Sequence, residues 1–319
     1  MAKVKRVLVS LLCFVLVFSL TGFDFSALKA SAGLYMVFKW SALKEEVKNA
    51  TSGTTIYLGK DITTDELDNR IVANKKTNLT IDLYGHSIKK NNGSKCYKDG
   101  HILEVMGNST VTLTDSIGGG FLEYGCGNNG GAINIHDGSS VTISNVTFQN
   151  NRAGIDGGAI FNRGTLKMNN CVIKNNTAKD TGGGIYNSVD GKFELNNVEI
   201  CYNKCDNDGG GLNIHTDGTS VMKNCNIHHN TSKDEGAGFR FDDNGETLKL
   251  YNTSITDNVS KDDGGGFYLE DGTVRLYGCD ISRNKAEYGG GICAEEKVVL
   301  EAGDECSCTV KKQATENNR

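Results

Sequence analysis

Proline is absent from all 319 residues, and tryptophan occurs once. Such a chain can run through many strand ladders without meeting a residue that lacks an N–H donor. Long apolar stretches are equally scarce. The one at the N-terminus, Val7 to Leu20, is too short for a comfortable membrane span. Lys3, Lys5 and Arg6 precede it and Ala30-Ser31-Ala32 follows, so residues 1–32 read as a secretory signal cleaved near Gly33. Cys13 lies inside the run with apolar residues after it, which argues against lipid attachment. A basic excess is missing too. The formal charge is −5, and loss of Lys3, Lys5, Arg6, Lys29 and Asp24 with the signal takes it to −8. An acidic surface disfavours nucleic acid and anionic membrane as partners and leaves cations or neutral glycans. The expected product is secreted, with no stable membrane insertion once the signal is removed.

What the chain has in excess is glycine, 40 residues. GGAI at 130–133 and 157–160, GGGI at 182–185, GGGL at 209–212, GAGF at 236–239, GGGF at 264–267 and GGGI at 289–292 recur at steps of 25 to 28 residues. A fixed period excludes a disordered low-complexity chain and means one unit stacked on itself. A stricter column follows: Asn151, Asn176, Asn203, Asn230, Asn258 and Asn284 each stand three residues after Phe148, Ile173, Ile200, Ile227, Ile255 and Ile281. Six residues upstream runs a second column, Asn145, Asn170, Asn197, Asn224, Asn252 and then Gly278.

Around these columns apolar and polar residues alternate at period two, as at Ile143, Met168, Leu195, Met222, Leu250 and Leu276, which means strands rather than helices. Each repeat then holds three short strands and buries its apolar face against its neighbours. The expected fold is all-β, a single-stranded right-handed parallel β-helix of nine or ten rungs spanning residues 53–310, a rod on the order of 45 Å long. Stacked asparagines hydrogen-bond along the rod. Ala153, Ala178, Cys205, Ser232, Ser260 and Ala286 suit a tight inward turn, and the glycine triplets permit positive φ and close backbone approach at a corner. Less regular rungs precede these near Thr55–Leu58, Leu79–Leu83, Ile102–Met106 and Thr110–Thr114. Ser41–Ala50, within an N-terminal capping segment 33–52, reads as a short helix with Leu43 and Val47 on one face, covering the open end of the first rung. Residues 311–319 are expected to be a flexible tail.

The alternation of GGAI with FQNN at 148–151 and its variants IKNN at 173–176 and ITDN at 255–258 resembles the polymorphic outer-membrane protein repeats. It is also similar to the wider group of right-handed parallel β-helix surface proteins related in fold to pectate lyases. The resemblance covers about residues 126–294 and implies an exported, adhesin-like passenger whose partner is an extracellular glycan or a host or cell-surface component. About twenty residues follow Val299, too few for a translocation barrel, and no sortase-type or transmembrane anchor is visible. A smaller secreted relative is therefore expected.

Cys13 aside, ten cysteines remain. An even number in an exported chain suggests disulfides. Cys171, Cys225 and Cys279, however, fall two repeats apart in one inward column. At roughly 9.6 Å they are beyond the ~7 Å reach of a bridge, so they read as buried thiols. Cys306 and Cys308 with Cys293 could form a local bridge, a weak metal site, or free thiols.

Function is sought where repeats differ. The second residue after each triplet gives an outward column of Asn134, Phe161, Tyr186, Asn213, Arg240, Tyr268 and Cys293, and two further on lie His136, Arg163, Ser188, His215, Asp242, Glu270 and Glu295. Phe161, Tyr186, Arg240 and Tyr268 are the candidate ligand-binding residues of a non-catalytic glycan-binding module. His215, Arg240, Asp242 and Glu270 would be the catalytic residues of the alternative, a polysaccharide lyase or glycoside hydrolase. A plainer reading is a solvated sheet face whose charges pair across rungs. The acidic turns before the glycines, including Asp234, Glu235, Asp262 and Asp263, form a ridge that either Ca²⁺ or the neighbouring Lys179, Lys233 and Lys261 would relieve. No cofactor other than possible Ca²⁺ is expected. The calcium-roll nonapeptide and lyase or polygalacturonase motifs are absent, and Thr142, Lys167, Glu194, Lys249 and Arg275 exclude a flat threonine array of ice-binding type.

Overall fold

The computed structural model describes residues 27–31, 34–67, 69–91, 95–216, 220–242, 245–301, 309–310 and 314–315. One turn shows how the chain winds. Ile160–Asn162 leaves a glycine corner, Thr165–Lys174 runs along a second face, and Thr177–Ala178 forms a short third face before the next corner. Equivalent strands pair in parallel, Ile133 with Ile160, Ile160 with Ile185 and so on to Phe267 with Ile292. Nine strands stack in this sheet, seven of them after a glycine corner and two, Ile71–Asn74 and Leu103–Met106, before the signature begins, which fixes nine turns. The long face carries two strand segments in most turns, and the third face is a narrow ribbon.

The long face bends in its middle because Asn145, Asn170, Asn197, Asn224, Asn252 and Gly278 all hold positive φ, between 47° and 62°. Asparagine and glycine tolerate that conformation best, which accounts for the upstream column. At each glycine corner the two leading residues have different duties. Gly182 needs φ 66°, while at Gly183 an added Cβ would lie 2.2 Å from the Gly210 carbonyl oxygen of the next turn.

Inside, aliphatic and aromatic residues stack on their counterparts, with Phe239 over Phe267 at 4.7 Å between ring centroids. The ladder asparagines are all buried to 2% exposure or less. Asn151 Oδ1 accepts from the Gly125 N–H, and from Asn176 onward each side-chain oxygen takes two hydrogen bonds from the preceding asparagine: Asn203 Oδ1 accepts from the N–H of Asn176 at 3.0 Å and from its Nδ2 at 3.0 Å. Asn203 Nδ2 donates in turn to Ile173 O and to Asn230 Oδ1.

At the N-terminal end the helix spans Trp40–Asn49, one residue offset from the expected segment, and buries Trp40, Leu43 and Val47 against the first turn. Leu34–Val37 pairs in parallel with Thr55–Leu58, so this capping segment also starts the long face. Most of the expected signal lies outside the described residues, and Ala27–Ser31 within it pairs antiparallel with Leu34–Val37. Likewise, most of the expected tail lies outside them, while Ala314–Thr315 pairs with Lys285–Ala286. Among the described residues no helix is long and apolar enough to cross a membrane.

Cys171, Cys225 and Cys279 are buried thiols, and burial raises those of Cys171 and Cys225 to about 11. Cys306 and Cys308 lie outside the described residues. One disulfide, Cys96–Cys126, has no counterpart in the sequence reading. It closes a 30-residue separation, a constraint worth about 3–4 kcal/mol on the unfolded chain.

Replacing Asn203 by leucine strands the buried donors of Asn176 and the acceptors it served. The expected cost is roughly 3–5 kcal/mol, read as a fall in the urea midpoint, whereas Asn197→Gly, at a positive-φ bend, leaves the unfolding free energy within about 0.5 kcal/mol of wild type.

Candidate functional site

The outward face of the nine-stranded sheet gathers most of the predicted site residues into one column. Register pairs Asn134 with Phe161, Phe161 with Tyr186, Tyr186 with Asn213, Asn213 with Arg240 and Arg240 with Tyr268. Outward does not mean open, however. Phe161 and Tyr268 are 6% and 5% exposed, while Tyr186 is half-buried. Phe161 and Tyr186 stack at 5.0 Å with planes 7° apart, and the Tyr186 ring leans toward His215 at 5.8 Å. The Tyr268 hydroxyl donates to Glu295 at 2.6 Å.

Arg240 is the hub. Its Nε lies 3.1 Å from Glu235 and 4.0 Å from Asp208, its Nη1 donates to Asp242 at 3.2 Å, and its Nη2 binds Glu270. His215 joins through Nε2, 3.5 Å from Arg240 Nη1, with its Nδ1 3.4 Å from Asp242. Arginine has no acceptor, so His215 Nε2 accepts and its Nδ1–H faces the carboxylate. Burial, opposed by Asp242 and aided by the Arg240 charge, holds this imidazole below its ordinary range.

Four carboxylates against one guanidinium leave the patch negative. Burial is the first cause that pushes the Asp208 and Glu235 carboxyls above their ordinary range, with Arg240 opposing it. Asp156 and Asp263 on the same ridge of turns are raised by burial as well.

The four suggested calcium ligands are not drawn into one cluster. Glu235 turns to Arg240, Asp263 Oδ1 is buried without a hydrogen-bond partner among the described residues, and the Asp262 carbonyl takes the N–H groups of Glu287 and Tyr288. Lys233, expected to relieve the ridge, pairs with Asp206 at 2.7 Å.

Toward the N-terminus the face continues through Asp99, Arg70 and Glu104, which sequence reading left out, to His136 and Arg163 of the second outward column. Asp99 binds Arg70 at 2.7 Å, Arg70 binds Glu104 at 2.5 Å, Glu104 meets His136 at 2.9 Å, and His136 meets Arg163 at 2.9 Å. Glu104 stands directly before Asn134 in the same column. Its turn lacks the glycine signature, so alignment on that signature could not reach it. At this end the face opens into a cleft of about 660 Å³ beside the helix, lined by Arg70, Val72 and Lys44 among others.

The winding and the register define a parallel β-solenoid of nine turns. A family model described as "Right handed beta helix region" matches residues 131–301, and the chain belongs to that family. No curated protein and no solved structure matches the chain.

Substituting Arg240 by glutamine leaves the four carboxylates facing one another. The expected loss is about 2 kcal/mol at pH 7.5, because the partners are part-exposed and screened. The loss shrinks toward pH 5: carboxyls with raised folded values gain stability as pH falls through those values, and removing the cation raises them further. Thermal unfolding of both proteins across this range checks the sign.

Proposed function

We propose that the chain is an exported, non-catalytic module that binds neutral glycan on the outward face of its nine-stranded sheet. The observation that carries this reading is the Arg240 cluster beside the half-open Tyr186 ring. Sugar hydroxyls donate to carboxylates and accept from arginine, while a sugar face packs on an aromatic ring. Tyr186 offers that ring, and Phe161 beneath it serves as backing. The excess of carboxylates repels polyuronates, which favours an uncharged ligand.

The same cluster weighs against turnover by a lyase. A base must first give up its proton, and a guanidinium paired with carboxylates serves as a hydrogen-bond donor instead. Export is supported by the basic and apolar N-terminus and by the Cys96–Cys126 disulfide, a bond that persists in oxidising compartments. The partner is an extracellular glycan or a cell-surface component, and the protein is secreted or loosely held at a surface.

A glycan array and a panel of neutral and uronate polysaccharides with Ca²⁺ test this. Expected are binding to neutral glycans, a loss of about tenfold in Tyr186→Ala, and no new reducing ends or unsaturated products. Turnover that disappears in Arg240→Lys overturns the reading in favour of an enzyme, and binding confined to polyuronates overturns the ligand class.

A further inference from the structure

On the outer surface of the long face, away from the Arg240 column, three ligand atoms converge. Glu199 and Cys201 lie on the strand Lys192–Cys201, and His228 pairs in register with Cys201 on the following turn. Glu199 Oε1 is 3.0 Å from His228 Nε2 and 3.8 Å from Cys201 Sγ, and the three ligand atoms all fall within 4.8 Å of one another. Donors about 2.0–2.3 Å from a tetrahedral zinc ion stand roughly 3.2–3.8 Å apart, so small rotamer shifts close this triangle on an ion.

Two neighbours support the set. His228 Nδ1 is 2.8 Å from His229 Nδ1, and the His229 ring stacks on Tyr202 at 4.9 Å. A partner on the second ring nitrogen is what fixes the tautomer and aim of a metal-ligating histidine. The repeat does not require these residues. In the column of Cys201 and His228 other turns carry Gln149, Lys174, Thr256 and Ser282. At the next position Tyr202 and His229 hold φ of 56° and 54°, where other turns carry Asn150, Asn175, Asp257 and Arg283. Asparagine and aspartate tolerate that conformation best, so the backbone does not call for tyrosine or histidine there.

We propose that Glu199 Oε1, Cys201 Sγ and His228 Nε2 bind one divalent transition ion of the zinc class, with a fourth position open to water. A thiolate and an imidazole together select such an ion over Ca²⁺ or Mg²⁺, which prefer all-oxygen sites. Glu199 is 45% exposed and His228 14%, so the ion enters from the Glu199 side.

The test is anaerobic titration of the full mature chain with Co²⁺ alone, followed by Zn²⁺ competition. Expected are one Co²⁺ per chain, a thiolate-to-cobalt charge-transfer band, and displacement by Zn²⁺. Cys201→Gln and His228→Thr install residues that other turns already carry. Both should abolish the band and weaken binding by roughly tenfold or more, and His229→Asn should weaken it by about tenfold. A double Cys306→Ser, Cys308→Ser variant should keep the band. Unfolding midpoints of the metal-free variants near wild type assign these losses to the ligands rather than to folding. Absence of the band, its survival in Cys201→Gln, its loss in the double serine variant, or displacement by equimolar Ca²⁺ overturns the proposal.

Discussion

Six buried amides, one per turn, carry hydrogen bonds that no strand ladder could supply. At Asn151, Asn176, Asn203, Asn230, Asn258 and Asn284 the chain passes from the long face to the narrow one, and there, from Asn151 to Asn258, the backbone N–H donates to the next asparagine's side chain while the carbonyl still accepts from the following turn. From Asn176 onward each amide oxygen accepts from the backbone N–H and the side chain of the asparagine on the rung before it, as Asn176 does with Asn151 at 2.9 and 3.0 Å. A buried polar group left unpaired costs about as much as several good contacts return. The ladder is therefore stable when complete and costly when broken, which couples each turn from Asn151 to Asn284 to its neighbours. The glycine corner follows from the same closeness. Adjacent turns approach until a Cβ at Gly183 has no room, and the spacing that excludes it also brings the amides within reach.

Much of this was legible because inward positions answer to the same neighbours in every turn. The Phe148-to-Ile281 column, the small residues from Ala153 to Ala286 and the thiols of Cys171, Cys225 and Cys279 all lie inside as their repetition implied. Two features escaped. The bend at Asn145 and its equivalents is a matter of φ, which residue identity suggests but alternation cannot express. The Cys96–Cys126 bridge joins an irregular early turn to the first regular one, so no repeat offset predicts it.

The outward face was legible in a different sense. Register alone named Arg240, His215, Asp242 and Glu270 as neighbours, and the structure brings them together. Register could not say how deep each side chain sits. Phe161 is closed off because Tyr186 stacks on it, and Tyr268 because it reaches Glu295 at the end of the adjacent strand. Glu235 and Asp208 belong to the cluster although they stand in the turns before the triplets, since the coil folds those turns back over the sheet edge.

An interior that must repeat and an exterior that need not divide the labour of the sequence. Where an outward residue departs from its column at an energetic cost, that departure needs a cause outside the fold. Arg240 is one case: a buried charge is unfavourable unless paired, and here it sits among more carboxylates than it can neutralise. Tyr202 and His229 are another, bulky residues in a backbone conformation that asparagine adopts more cheaply. Both departures fall within neighbouring turns, on different faces. A solenoid permits this because each face is a separate column of positions, and the hydrogen-bonded interior holds both columns to the same rung spacing.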